Sequence, residues 1–462
     1  MFKRTLKRFL LVLIVLAFSA SLFLGIQVFK AHFQPPLLKR SDLACDGCNL
    51  ILISVDTLRA DHLSAYGYEK RTSPFLDEAK KEAILFSSMV STASVTPDAH
   101  MSLFTSLMPS VHGVKVKDDH LDLPTVVRTL WREYLPTGLD ERFTTLAEFL
   151  TQQGYATAAV TGGGYLDPSF GFGQGFERYV TISTLYETGP LYEEATSAVE
   201  YLNESRPFFL FLHTYIPHDP YVTMSEGVDF LRQYNVTPVV RDNLRETAGD
   251  DRVCIPFRDL FWQQFNLSKR EDVEKLVAFY DSKIYAGDRF LEKLFTDLRS
   301  RGLMENSLIV LLSDHGEEFL EHGGTLHGGT LYREVLHVPL VIWSPSKTEK
   351  LIPQPFSLLD VMPTLIESLG FEVPPHLQGH SLFGWRKRAA IPSEVWDKSS
   401  LMENGWKYVY REDGHEEAYN LQEDPWEQEN VALQNQEVLD SFRRELQRQQ
   451  EENQRLKEEI LG

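Results

Sequence analysis

Residues 49–56 read NLILISVD, a short apolar run rich in β-branched side chains that stops on a bare aspartate. A run this short, apolar at consecutive positions, predicts a strand buried on both faces. Three further runs read the same way: RPFFLFLH (206–213), SLIVLLS (307–313) and VPLVIWS (338–344). Amphipathic helical stretches lie between them, among them RFTTLAEFLTQQG (142–154) and DVEKLVAFYDSKIYAGDRFLEKLFTDLRSRG (272–302). Strands alternating with helices imply an α/β fold with a largely parallel sheet covered on both faces. The 462 residues, 43% apolar, suit one large α/β domain with an appendage. Beyond the last of these strands, residues 406–432 alternate in a different way and predict a small antiparallel piece. Residues 438–462 read as one charged helix with a thin apolar stripe of Leu439, Phe442 and Leu446. That stripe fits a helix docked on the protein surface, or one that binds a partner.

The formal net charge is −20, which argues against nucleic acid as a partner. The N-terminus carries Lys3, Arg4, Lys7 and Arg8, followed by the uncharged apolar run 10–29, about the length that spans a bilayer as a helix. With the basic flank held in the cytoplasm, the bulk of the chain is expected outside it, periplasmic in a bacterium. Ser19, Ala20 and Ser21 leave cleavage as a signal peptide open. Residues 30–48 read as a tether. Their Cys45 and Cys48 form a CxxC, too few ligands for a structural zinc site and better suited to a local disulfide or two thiols.

Ligand sites in open α/β sheets lie at the carboxyl ends of strands. Asp56 follows the first run, and Asp314 and His315 follow the third. If those strands are neighbours, two carboxylates and an imidazole converge, a set suited to a divalent cation such as Zn²⁺ or Mn²⁺. Gly316 after them keeps the turn slim. A second feature is SVTPDAHMSLFTS (94–106). Pro97 favours the first helical position, so the helix is expected from Pro97 to about Leu107, with Thr96 before it. Two readings of Thr96 are open: a plain N-cap, or a nucleophile at the positive end of the helix, activated by a cation. His213 and His218 lie at the end of the second strand. His322 and His327 follow Asp314-His315, His100 lies one turn from Thr96, and His112 sits in PSVHGV. Such imidazoles could stabilise charge on a transferring group or protonate a leaving oxygen.

The ordered set of motifs resembles the sulfatase branch of the alkaline phosphatase superfamily. NLILISVDTLRADHLSAYGY is similar to its first metal strand, TPDAHMSLFTSLMPSVHGV to its nucleophile helix, and FLHTYIPHDPY to its substrate loop. SDHGEEFLEHGGTLHGGTLYREVLHVPLVI is similar to its second metal loop and the strand after it. SLLDVMPTLIESLG and AYNLQEDPWEQENVA resemble its C-terminal landmarks, so the likeness runs over about residues 49–435. It implies an alkaline-phosphatase-like sandwich with a mostly parallel central sheet and a small C-terminal antiparallel subdomain. The expected division is a basic segment 1–9, a transmembrane anchor 10–29, a tether 30–48, a catalytic domain 49–385, a C-terminal subdomain 386–435 and a helix 436–462.

The resemblance carries over residue by residue. Asp56, Asp314 and His315 match metal ligands, and Thr96 matches the nucleophile, which also touches the metal. His218 and His327 match groups on the substrate oxygens, and His100 stands where sulfatases have the arginine of a Cys-x-Pro-Ser-Arg signature. His213, His322 and His112 are weaker substrate-binding candidates. Thr57 replaces a second ligand aspartate, and Ile216 stands where two-metal relatives place an aspartate. One divalent ion (Zn, Mn, Mg or Ca) is therefore expected. A threonine also departs from the cysteine or serine that sulfatases convert to formylglycine, so no formylglycine is expected. It resembles instead membrane-anchored relatives that move phosphoethanolamine or phosphoglycerol groups, and phosphodiesterases. The expected function is thus hydrolysis or transfer of phosphate esters or diesters, on a lipid- or glycan-linked substrate, through a covalent threonine intermediate. The alternatives are a sulfuric ester hydrolase without formylglycine and a non-catalytic anion-binding protein.

Overall fold

A computed structural model of the chain describes residues 38–116, 136–182, 188–202, 206–239, 254–383 and 390–462. The expected anchor 10–29 and the basic segment before it lie outside the described residues. Among those described, no helix is long and apolar enough to cross a membrane.

NLILISV forms β1 (Asn49–Val55), buried at every position. The other strands of the central sheet are β2 (Ala83–Val90), β3 (Ala156–Thr161), β4 (Arg178–Thr181), β5 (Phe208–Thr214), β6 (Ser307–Leu312), β9 (His337–Trp343), β10 (Lys350–Ile352) and β11 (Phe356–Ser357). The two short strands β7 (Glu318–Phe319) and β8 (Thr325–Leu326) pair, among the described residues, only with each other. The spatial order is β10-β2-β9-β6-β1-β5-β3-β4, with β11 beside β2. β1 therefore lies between β5 and β6, parallel to both, as the convergence of Asp56 with Asp314-His315 requires. The sheet is parallel except for β9, which runs antiparallel to β6 and β2. The link from β6 to β9 holds no crossover helix of the kind a parallel connection needs, only the site loop with one short turn of helix, so the chain returns in the opposite sense. Alternate residues of β1 feed two separate cores: Leu50 and Leu52 one, Ile51, Ile53 and Val55 the other. That division is the signature of a sheet covered on both faces.

Three helices matter for the site: α1 (Thr96–Thr105), α2 (Arg270–Ser300) and α3 (Gln436–Leu461). The C-terminal piece is an antiparallel sheet of β12 (Ile391–Val395), β13 (Lys398–Glu403), β14 (Trp406–Arg411) and β15 (Glu416–Asn420). α3 docks on it through Leu439, Phe442 and Leu446, with Phe442 stacked on Tyr408 at 5.4 Å. Its far end, Leu456, Ile460 and Leu461, packs on Leu107, Met108 and Val111 just beyond α1. The apolar stripe thus serves as a docking face against the chain itself. Cys45 and Cys48 form a disulfide.

Candidate active site

β1 and β6 end side by side and deliver Asp56, Asp314 and His315 to one buried point. One potential ligand atom from each of the three lies within 4.8 Å of the others. The turn that carries them leaves no room for a larger residue: a Cβ on Gly316 would sit 2.0 Å from the Glu334 carbonyl oxygen. Arg59, in the loop leaving β1, braces the same turn by donating from Nη1 to the Glu317 carbonyl at 2.8 Å and pairing with Asp61 and Glu321.

Thr96 is the first residue of α1, and Val95 is its N-cap. The capping expectation is therefore corrected by one residue. With Val95 in the extended cap position, the Thr96 hydroxyl turns away from the helix and donates to Asp56 Oδ2 at 3.1 Å, with His315 Nε2 at 3.3 Å. The Cα of a first-turn residue points its side chain off the helix end, which here is the sheet edge holding the carboxylates.

The donor set fits a divalent cation. Asp56 Oδ1 is buried without a hydrogen-bond partner among the described residues. Among the described residues, Asp314 Oδ2 has only the imidazole nitrogens of His100 and His315, each at 3.3 Å. His315 Nδ1 donates to the Gly316 carbonyl at 3.0 Å, which fixes the tautomer and leaves the Nε2 lone pair facing the carboxylates. Burial and the facing Asp314 push the Asp56 carboxyl well above its usual range. Burial alone would raise Asp314 as well, but the rings of His315 and His100 overcome it and hold that carboxyl low. A pair of buried carboxylates split in this way is what a cation would equalise. Thr57, next to Asp56 in the chain, has a left-handed φ of 58°, and its buried hydroxyl has no hydrogen-bond partner among the described residues.

His218 and His327 lie together, ring centroids 5.1 Å apart, and His327 is 4.4 Å from His315. His218 Nδ1 donates to the Asp219 carbonyl at 2.7 Å, and His327 Nδ1 lies 2.7 Å from Glu317 Oε1. Each Nε2 is left for a ligand. Burial lowers the two imidazoles to about 3 and about 4, so both are neutral until an anion arrives. Two residues outside the expected set support them. Glu317, fully buried, takes His327 on one oxygen and the Tyr221 hydroxyl on the other at 2.8 Å. Lys283, fully buried in α2, donates to the His218 carbonyl at 2.7 Å and ties down the loop. Sequence held a signal for Glu317, a carboxylate two residues past a ligand on the same turn. It held none for Lys283, one of three lysines on that long helix.

His213 also enters the site, its Nε2 3.5 Å from Asp56 Oδ2 and neither ring nitrogen with a hydrogen-bond partner among the described residues. His100 stands behind it: Nδ1 donates to the Thr96 carbonyl at 2.9 Å, and the Ser54 hydroxyl is 2.8 Å from Nε2. With both nitrogens used by the protein, His100 can orient Asp314 and α1, but it cannot also reach a substrate. Two expected residues fall outside the site. His322 spends Nδ1 on Glu334 at 2.6 Å and Nε2 on the Glu427 carbonyl at 2.8 Å, and stacks on Tyr332 at 3.7 Å. It straps the site loop to the segment that follows β15. His112 accepts from the Val114 amide at 3.1 Å and faces Ser102 at 3.2 Å, a contact between α1 and the turn beyond it.

His112 gives a signed test of that structural role. Burial, then Lys115, lowers it to about 3, against an unfolded value of about 6.5. Its contribution is complete above pH ~6.5 and is lost as pH falls, by up to about 1.4 kcal/mol per pH unit. His112→Gln is expected to be less stable than wild type at pH 7 by about 1 kcal/mol. The gap should narrow or reverse by pH 5 in denaturant titrations, with metal content unchanged. A gap independent of pH contradicts the assignment.

A profile of the family described as Sulfatase matches residues 48–371. Arylsulfatase K of Mus musculus is 24% identical over 370 residues, 67% of this chain and 66% of that protein. Arylsulfatase K of Xenopus laevis is 27% identical over 267 residues, 50% of this chain and 49% of that protein. The chain thus spans roughly two thirds of the mouse protein and half of the frog one. Among solved structures, one determined in complex with its substrate D-glucosamine-2-N,6-O-disulfate aligns with TM-score 0.71 at 17% identity, covering 90% of this chain and 99% of that one. The phosphonate monoester hydrolase of Agrobacterium radiobacter aligns with TM-score 0.63 at 19% identity, covering 88% and 96%. These two likenesses show a shared fold.

Proposed function

The chain belongs to the sulfatase family, and from that premise we propose that it is a metal-dependent hydrolase of sulfate esters in which the Thr96 oxygen attacks sulfur. The observation that carries the proposal is the Thr96 hydroxyl at 3.1 Å from Asp56 and 3.3 Å from His315, inside the ligand set and not spent on capping its helix. The arylsulfatase relatives support sulfate esters ahead of the phosphate esters that a threonine nucleophile on its own had put first.

A bound divalent cation, held by Asp56, Asp314 and His315, would favour the alkoxide of Thr96 and offset charge on the ester oxygens. Thr96 Oγ1 attacks sulfur, the bond from sulfur to the leaving oxygen breaks, and sulfate is left esterified on Thr96. The hydroxyl proton is released to solvent as the alkoxide forms, and Asp56 stays ionised as a ligand. His218 and His327 present Nε2 to the ester, and a proton acquired there with the anionic substrate moves to the leaving oxygen. Water then attacks the same sulfur and releases sulfate and free Thr96. No formylglycine enters this scheme, because Thr96 carries a methyl on the carbon that would have to become an aldehyde.

One observation favours a second reading, phosphate ester hydrolysis or transfer. Without an aldehyde hydrate, the threonine ester has no elimination route and must be cleared by a second displacement at the central atom, a step well suited to phosphorus. Parallel assays of metal-loaded protein with 4-nitrophenyl sulfate, 4-nitrophenyl phosphate and bis(4-nitrophenyl) phosphate separate the two. The sulfate ester is expected to give the highest kcat/KM. A higher value for a phosphate ester moves the proposal to the second reading, and no turnover of any of them leaves anion binding without catalysis.

Placement outside the cytoplasm on an N-terminal anchor belongs to the same proposal. Its supports are the uncharged run 10–29 behind a basic flank and the Cys45–Cys48 disulfide, a bond that persists in oxidising compartments.

A further inference from the structure

The strap at His322 has a proton count that its geometry dictates. Nδ1 lies 2.6 Å from Glu334 Oε1, and Nε2 lies 2.8 Å from the Glu427 carbonyl oxygen. A carbonyl oxygen only accepts, so Nε2 carries a proton. A carboxylate also only accepts, so either Nδ1 carries a second proton or Glu334 is protonated and donates to it. Both arrangements hold one proton more than a neutral imidazole beside a carboxylate. Without that proton a ring lone pair faces an oxygen at one end or the other, and one of the two bonds is lost. The Gln428 amide nitrogen, 3.3 Å from Nε2, stands farther off than the carbonyl and already donates to the Trp426 carbonyl at 3.0 Å.

The surroundings suit a charged ring. Tyr332 stacks on it at 3.7 Å with 13° between the planes, an aromatic face that attracts a cation, and donates its hydroxyl to Glu417 of β15 at 3.0 Å. Glu321 bears on Glu334 from the same loop. Glu427 spends its carboxylate on Lys407 of β14 at 2.7 and 2.9 Å and on the Arg333 amide at 3.1 Å, so its carbonyl is a fixed anchor. Burial opposes charge on His322, but the Glu334 carboxylate and the Glu427 carbonyl overcome it and hold the imidazole above its ordinary value. The strap is therefore closed at lower pH and opens as pH rises through that raised value. Its other end reaches the site. The Glu334 carbonyl accepts from the Glu317 amide at 3.2 Å, the Val335 carbonyl accepts from the Gly316 amide at 2.8 Å, and Glu317 in turn holds His327.

We propose that His322 is a positioning residue whose strap is closed only while the His322–Glu334 pair holds a proton, so that alkaline pH loosens the loop bearing Glu317 and His327. The effect on turnover rests on the hydrolase reading above. The strap itself rests on the geometry alone.

Two variants act in opposite senses. His322→Gln has no second nitrogen donor to span Glu334 and Glu427. Glu334→Gln offers an amide that donates to Nδ1 of a neutral imidazole whose Nε2–H still reaches the Glu427 carbonyl, so its strap needs no extra proton. kcat/KM of metal-loaded protein is measured from about pH 6 to about pH 10 on the ester that the parallel assays select. Dividing by wild type at each pH cancels the other titrating groups. Wild type is expected to exceed His322→Gln roughly tenfold near pH 6.5, with the ratio falling toward one as pH rises. Glu334→Gln is expected to match wild type near pH 6.5 and to exceed it by a similar factor at the alkaline end. A ratio to His322→Gln that stays constant, or a Glu334→Gln protein that declines together with wild type, overturns the proposal. If no ester is turned over, the hydrolase reading fails by itself, and the strap is judged by hydrogen exchange of amides 317–334 in the same three proteins. Wild-type protection should approach that of His322→Gln at alkaline pH while Glu334→Gln keeps its own. Differences that do not change with pH overturn the strap.

Discussion

Thr96→Ala is expected to lower kcat/KM by roughly four orders of magnitude or more, the usual consequence of removing an attacking oxygen from an otherwise intact site. The expectation depends on Thr96 doing little for the fold. It is buried, but among the described residues its hydroxyl bonds only with Asp56 and His315, and Val95, not Thr96, occupies the N-cap position. Alanine is at ease in a first helical turn, so stability should change by no more than about 1 kcal/mol. Metal uptake should persist, because Asp56, Asp314 and His315 remain. Thr96→Ser restores the oxygen and should recover most of the activity. Intact mass after incubation with a slow ester should find an adduct on wild type and none on the alanine variant. A Thr96→Ala protein that keeps a tenth of wild-type turnover would remove the covalent scheme.

The parts of this arrangement that could be read in the sequence are those where one physical demand dominates. NLILISV, FFLFLH, SLIVLL and VPLVIW had to be strands because a sheet buried on both faces leaves no polar alternation. The strand ends then fixed Asp56, Asp314 and His315. What stayed hidden depends on packing across the chain. β3 is ATAAVT, alanines whose strand state follows from pairing with β5 and β4 and hardly from propensity. The reversed direction of β9 is decided by a loop without a crossover helix, not by anything in VPLVIW. Thr96 before Pro97 looks like a cap, and only the placement of Val95 turns its hydroxyl into the site. The histidines show the limit most plainly. His322 and His327 share one glycine-rich loop and similar neighbours in sequence, yet one meets Glu334 and the Glu427 carbonyl and the other Glu317. The partners that separate them lie as far as 105 residues away, beyond the reach of any local pattern.

Asp56→Asn is expected to move stability and metal response in opposite directions. In metal-free protein the Asp56 carboxyl is pushed up by burial and by the facing Asp314, so its charge is a burden there. Asparagine removes that charge and can still accept the Thr96 hydroxyl. In a chelator the variant should therefore be as stable as wild type or more so. Adding metal should reverse the order. A cation at about a hundred times its Kd stabilises a protein that binds only when folded by about 2.7 kcal/mol, and wild type should show that gain as a raised Tm. The variant, with one anionic ligand fewer, should show little of it and should retain far less metal after gel filtration. Turnover should fall roughly a thousandfold, equivalent to about 4 kcal/mol of lost transition-state stabilisation. The two arms fail separately. A variant that takes up metal as tightly as wild type removes Asp56 from the ligand set. One destabilised in chelator by more than about 1 kcal/mol shows that the buried carboxylate already has a compensating partner, and the electrostatic case for a cation between Asp56 and Asp314 fails with it.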